Sequence, residues 1–287
     1  MRFRRSVVFK VINRLGWWYD SFLWKSQFIL SVPRGTHATE PEISIGITTF
    51  LNRFETSFKP LVRKLVFLFP DTPVIVAANG STRRDEQLDY LSGLREFCSQ
   101  YRNLILIAYE EPRGLSHLWN RIMKEAGDQS VLMLNDDLSI KTQFRKFILS
   151  SGILSSDIAT INSSWSHFLI SPKIYLQTGE FDEELKEVGG EDDDYLARLA
   201  LKGLRPADYN CSTIARKRKK RKGVKELNSY GKDMSEEEGG YSSYNVSYLR
   251  SKWEISDEYF SGAVEIPRRR NRFWKLKDST GSSVFSH

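Results

Sequence analysis

The chain has 287 residues, 40% of them apolar, enough for a sizeable core and too many for a wholly disordered protein. Two cysteines, Cys98 and Cys211, exclude a disulfide scaffold and a multi-cysteine zinc site, and point to a reducing compartment. The net charge of +7 is unevenly spread. Residues 216–222 are an unbroken basic run, and the first 35 residues carry a second basic excess, with Asp20 their single acid. The rest of the chain is mildly acidic.

In chain order, the opening 30 residues are rich in large apolar and aromatic side chains. A membrane span needs about 20 nearly uninterrupted apolar residues; Lys10, Arg14, Asp20 and Lys25 break every such window. No clean apolar core leads to a small-residue cleavage site, so a secretory signal fits poorly. The segment instead reads as amphipathic, basic and tryptophan-bearing, with Trp17, Trp18 and Trp24 suited to the surface of an anionic membrane. The alternative is a helix docked on the protein's own surface. The first reading implies a cytoplasmic protein held peripherally on the cytoplasmic membrane face.

Residues 31–41 read as a linker. Beyond it, residues 43–48 predict a strand, 58–69 a helix, 74–78 a second strand, and 86–101 a second helix. Residues 104–108 predict a third strand, 114–126 a third helix and 131–134 a fourth strand. This βαβαβαβ order predicts an α/β fold with a mainly parallel, doubly wound sheet. Ligands bind such sheets at the carboxyl ends of the strands.

The fourth strand runs into Asn135-Asp136-Asp137. Adjacent carboxylates there supply hard oxygen ligands for Mg2+ or Mn2+, able to neutralise a diphosphate; a plain polar turn has the same composition. A second constellation is Gly189-Gly190-Glu191-Asp192-Asp193-Asp194 before a helical stretch. Acids are favoured at a helix N-terminus, and Asp194 can pair with Arg198 one turn on. Glu191 and Asp192, nearest the glycines, are the candidates for a carboxylate facing a cleft, and such an Asp can act as general base towards a hydroxyl. His167, flanked by apolar residues, reads as a packed histidine. No GxxxxGK[ST] loop and no complete GxGxxG is present.

Taken together, residues 43–53 (ISIGITTFLNR), 74–81 (VIVAANGS), 114–120 (GLSHLWN), 134–137 (LNDD), 190–198 (GEDDDYLAR) and 245–253 (NVSYLRSKW) resemble, in order, motifs of the GT-A glycosyltransferases, in particular the inverting family 2 type. The resemblance implies a Rossmann-like, mainly parallel mixed sheet flanked by helices over residues 41–212. Residues 1–40 would then be the amphipathic segment and linker, and 213–287 a C-terminal extension with a basic loop. It implies a nucleotide-sugar pocket lined by Thr48, Thr49, Phe50, Arg53, Asn79 and Gly80. Asp137 would be the ligand of a divalent Mn2+ or Mg2+, and Asp136 would contact ribose or a metal-bound water. Asp192 would be the general base, with Glu191 the fallback. The donor implied is a nucleotide-diphosphate sugar, a UDP-sugar first, and the acceptor a glycan or lipid-linked hydroxyl. The sequence departs from the family pattern at Leu51, an extra residue in the first loop, at Ala78, where an Asp is common, and at Asn135, which replaces the first Asp of DxD.

Rival readings come from other classes. The basic run could bind nucleic acid through phosphates, but it lacks interleaved aromatic residues and reads as a solvated loop or a lid meeting phosphate. A sugar nucleotidyltransferase would carry a Gly-rich basic signature after the first strand, which TTFLNRF lacks. An inactive nucleotide-sugar-binding module is the third alternative, suggested by Ala78.

Overall fold

The computed structural model describes residues 41–187, 189–217 and 242–253. The amphipathic N-terminal segment, residues 218–222 of the basic run and the last 34 residues lie outside the described residues. Among the described residues, no helix is long and apolar enough to cross a membrane.

Four apolar runs rich in Ile, Val and Leu form β1 (Ile43–Thr49), β2 (Val74–Ala78), β3 (Leu104–Ala108) and β4 (Ser130–Asn135). Between them lie α1 (Lys59–Leu68), α2 (Arg84–Ser99) and α3 (Leu115–Ala126). The pairs β3–β2, β2–β1 and β1–β4 are all parallel, as the βαβ order predicts. Next come β5 (Leu138–Ile140), α4 (Phe144–Ser150), β6 (Ile158–Ile161), β7 (Ser164–Ile170) and α5 (Pro172–Thr178). The described chain closes with α6 (Glu191–Leu201), β8 (Ala207–Tyr209), β9 (Ala215–Lys217) and α7 (Ser243–Trp253).

The main sheet has the order β3-β2-β1-β4-β7-β6-β8. It is mixed, because β7 runs antiparallel to both β4 and β6. From β1 the chain winds outward through β2 and β3, then returns to place β4 on β1's other side. The strand order reverses between β1 and β4, and in an open α/β sheet the ligand crevice lies at such a reversal. Both the Thr-Thr-Phe segment and the Asn-Asp-Asp segment leave the sheet at this point.

Strand alternation divides the core between the two faces. Ile43, Ile45, Ile47, Val74, Val76, Leu132 and Leu134 pack with Leu61, Leu65, Leu91 and Leu94 of α1 and α2. Ile75, Ala77, Val131 and Met133 pack on the other face with Leu118, Ile122, Tyr195 and Leu199 of α3 and α6. Gly46 lets α3 come close: a Cβ there would lie 2.6 Å from Ile122 Cγ2. The first loop contains a 3-10 turn, Leu51–Arg53, and then a π-helical turn, Phe54–Phe58, leading into α1. A π turn holds one more residue per hydrogen-bonded loop than an α turn. Leu51, the residue by which the first loop departs from the family pattern, begins the 3-10 turn.

A glycine fixes the loop after β2. A Cβ on Gly80 would lie 2.1 Å from the Glu111 carbonyl carbon and oxygen, while Ser81 N donates to Glu110 O at 3.2 Å. Backbone against backbone has no flexible end to yield. Gly80→Ala should therefore destabilise the fold by about 1–3 kcal/mol or more, the usual scale of overpacking. Urea denaturation checks this, and an unchanged midpoint would contradict the packing described.

Candidate functional site at the carboxyl ends of β1 and β4

Arg53 organises the crevice. Its Nη1 donates to Asp136 Oδ1 at 2.9 Å and lies 3.7 Å from Asp137 Oδ2, and its guanidinium sits 4.8 Å from the centre of the Phe50 ring. Thr48 pairs with Asn135 across β1 and β4, and buried Thr49 lies beside Asp136. Thr48, Thr49, Phe50, Arg53, Asp136 and Asp137 are thus brought together by the two strand exits.

Asp136 is buried, which raises its carboxyl to about 6 against the opposing pull of Arg53. It remains ionised at neutral pH. Thr49 stands close to Asp136, while Asp136 Oδ2 and Asp137 Oδ1 are buried with no aligned hydrogen-bond partner among the described residues. Such orphaned oxygens are costly unless a ligand satisfies them. Two hard carboxylate donors suit Mg2+ or Mn2+, which commonly take one or two carboxylates and complete their shell with phosphate and water. Among the described residues no cluster of three or more His, Cys, Asp and Glu side chains forms around a common metal position.

Asn79 and Gly80 are used differently. Asn79 Nδ2 donates to Arg113 O at 2.9 Å and its Oδ1 accepts from Arg113 N at 2.8 Å, so its amide clasps the β3–α3 loop. Gly80 serves the close approach described above. Ala78 is fully buried in the core. Arg83 bridges the loops after β1 and β2 by donating to Asn52 Oδ1 at 2.7 Å. His167 is packed, as its surroundings suggested: it pairs with Leu134, and burial pushes its ring down to about 4, with Lys217 adding to the effect and Asp137 opposing it. Lys217 arrives there on the β5–β9 ribbon, opposite Leu138.

The second acidic constellation follows an irregular loop, described over residues 179–187 and 189–190, that crosses the same end of the sheet. Gly114, just after the β3 exit, lets the loop approach: a Cβ would lie 2.4 Å from Leu185 O. Asn120 of α3 holds it, exchanging hydrogen bonds with both Phe181 N and Phe181 O at 2.8 Å and donating to Glu183 Oε1 at 2.9 Å. Gly189 and Gly190 both have φ near 93°, a left-handed backbone that glycine adopts without steric cost. This turn starts α6 abruptly.

Burial then sorts the four acids. Asp194 is wholly buried and pairs with Arg198 Nε at 2.9 Å, as the one-turn spacing predicted. Glu191 is 4% exposed and Asp193 5%, whereas Asp192 is partly exposed. Glu191 accepts from Gly189 N at 3.1 Å, and burial raises its carboxyl to about 8. It is therefore mostly protonated at neutral pH. A group whose folded pKa exceeds its unfolded one binds more protons when folded, so stability falls as pH rises through that interval. Wild-type stability should thus decline between about pH 4.5 and 8, and Glu191→Gln should remove much of that slope. Denaturation midpoints at pH 5 and 8 measure it; equal slopes in both proteins would contradict the assignment.

No protein-family model matches the sequence, and no curated protein matches it significantly. Solved structures do resemble the fold. GalNAc-T7, in a crystal structure with UDP, GalNAc and Mn2+, aligns at a TM-score of 0.51 and 11% identity, covering 78% of this chain and 51% of that one. A Pyrobaculum calidifontis mannosyltransferase in complex with GDP-Man and Mn2+ aligns at 0.49 and 13% identity, covering 93% and 77%. S. aureus TarS aligns at 0.47 and 17% identity over 62% of this chain, which spans 37% of TarS. The sheet order, the flanking helices and the likeness to GalNAc-T7 agree: the chain has a GT-A fold.

Proposed function

We propose that the protein is a glycosyltransferase that moves a sugar from a nucleotide-diphosphate sugar to an acceptor hydroxyl in one inverting displacement. The observation that carries this reading is the Arg53–Asp136–Asp137 cluster at the sheet's reversal point, with one buried carboxylate oxygen of each Asp left without a hydrogen-bond partner among the described residues. The UDP, GalNAc and Mn2+ held by GalNAc-T7 on a similar fold support a nucleotide-sugar donor, a UDP-sugar first, and a divalent ion.

In this reading Thr48, Thr49, Phe50 and Arg53 line the donor pocket, with Asp136 fixed by Arg53. Asn79 and Gly80 shape its wall through the β3–α3 loop. Asp137 holds Mn2+ or Mg2+, whose positive charge, when bound, offsets the negative charge gathering on the leaving diphosphate. Asp192 takes the proton from the acceptor hydroxyl as its oxygen attacks the anomeric carbon, and the bond to the diphosphate oxygen breaks on the opposite side. Glu191 is disfavoured as base because its carboxyl is buried and tied to Gly189 N, whereas Asp192 is partly exposed. The acceptor proposed is a glycan or lipid-linked glycan.

Calorimetry with UDP-, GDP- and dTDP-sugars tests this directly. Mn2+ should tighten binding of the cognate donor at least tenfold, and Asp137→Ala should abolish that gain. Asp192→Asn should keep donor binding and lose at least a hundredfold in transfer. Donor affinity indifferent to EDTA in both Asp137 forms would overturn the metal assignment. Donor binding with no turnover by the wild type would favour the nucleotide-sugar-binding module instead.

A further inference from the structure

Helix α7 is held to the body mainly by polar groups, since only Asn245 and Leu249 among its residues are buried. Those groups share one face: 245, 248, 249 and 252 follow the spacing of successive helical turns. All the polar ones reach the 182–194 segment. Asn245 is fully buried; its Nδ2 donates to Gly189 O at 2.8 Å and its Oδ1 accepts from Glu187 N at 3.2 Å. Gly189 N in turn donates to the Glu191 carboxyl at 3.1 Å, so Gly189 is held at its carbonyl by Asn245 and at its amide by Glu191. Tyr248 donates to Asp182 Oδ2 at 2.7 Å, and Trp253 Nε1 to Asp194 Oδ1 at 2.9 Å. The ammonium of Lys252 contacts both carboxylates, Asp182 at one end of the segment and Asp194, at 2.6 Å, at the other.

We propose that Lys252 is a positioning residue: by joining Asp182 to Asp194 it fixes the span between them and with it the first turn of α6, where Asp192 stands. A charge-assisted bond to each of two carboxylates sets both distance and angle. The contacts account for the Asn-x-x-Tyr-x-x-x-Lys-Trp pattern of residues 245–253 as a single docking face. An apolar helix could cover the loop, but it would leave Asp194 with less compensation for a fully buried charge. The assignment of consequence to Asp192 rests on the proposed transferase activity; the clamp itself does not.

The test uses the full chain in two arms. In hydrogen exchange without ligand, Lys252→Met should speed exchange of amides between 187 and 194 at least tenfold, with β1, β2 and β4 unchanged. Tyr248→Phe, which removes one hydroxyl, should do the same more weakly and serves if Lys252→Met folds poorly. In the second arm, hydrolysis of UDP-glucose, GDP-mannose or dTDP-glucose with Mn2+ should lose at least tenfold in kcat while KM stays within twofold. Unchanged exchange in both variants would overturn the clamp. Faster exchange with an unchanged kcat would overturn the positioning role. If the wild type neither binds nor hydrolyses any donor, the transferase reading and the catalytic consequence both fall, while the exchange arm still decides the clamp.

Discussion

The mouth of this protein depends on how one irregular loop satisfies its backbone polar groups. The described residues of this loop, 179–187 and 189–190, lie in no strand or helix, and buried amides must find partners. The Asn120 side chain, 1% exposed, supplies them at one end. It accepts from Tyr175 and from Phe181 N, and donates to Phe181 O and Glu183, using all four of its bonding positions. Asn245 does the same service near Gly189. Two carboxamides from distant parts of the chain thus suspend the acid-bearing turn over the end of the sheet. A hydrophobic side chain at either position could fill the space without making these bonds.

Electrostatics then gives similar residues different tasks. Asp136 and Asp137 are adjacent, yet Asp136 is fully buried and bonded to Arg53 at 2.9 Å, whereas Asp137 stands 3.7 Å from Arg53 and is partly exposed. Among the four acids that begin α6, Asp194 is locked by Arg198, Trp253 and Lys252, and Glu191 is held neutral by burial. Asp192 alone of the four is partly exposed. Composition cannot distinguish these groups; depth does.

Much of the fold was readable beforehand because the parallel strands are short apolar runs bounded by turn residues. Residues 74–78 and 104–108 end where the sequence predicted. The β5–β9 ribbon was not legible, because three-residue strands paired across the chain leave no periodicity. At the site, Asp136 and Asp137 stood out from their place after a strand and Arg53 through the resemblance, and the structure brings the three together; Asn79 and Gly80, which the same resemblance put in the pocket, also bind the β3–α3 loop. The partners of Lys252 were beyond reach for a related reason. Spacing shows that 245, 248 and 252 share a helix face, but not what that face meets.

The central claim is that the nucleotide binds where β1 and β4 diverge. A contrasting position is the cavity between α1 and α2, where Lys59 and Arg63 are outnumbered by Glu55, Asp89 and Glu96 and Lys59 is paired with Glu55. Hydrogen-exchange mapping with UDP and with GDP, each with Mn2+, separates the two most directly. The account predicts protection at residues 48–53 and 135–137 with the α1–α2 cavity unchanged. Protection confined to that cavity, with the strand exits unaffected, would contradict it.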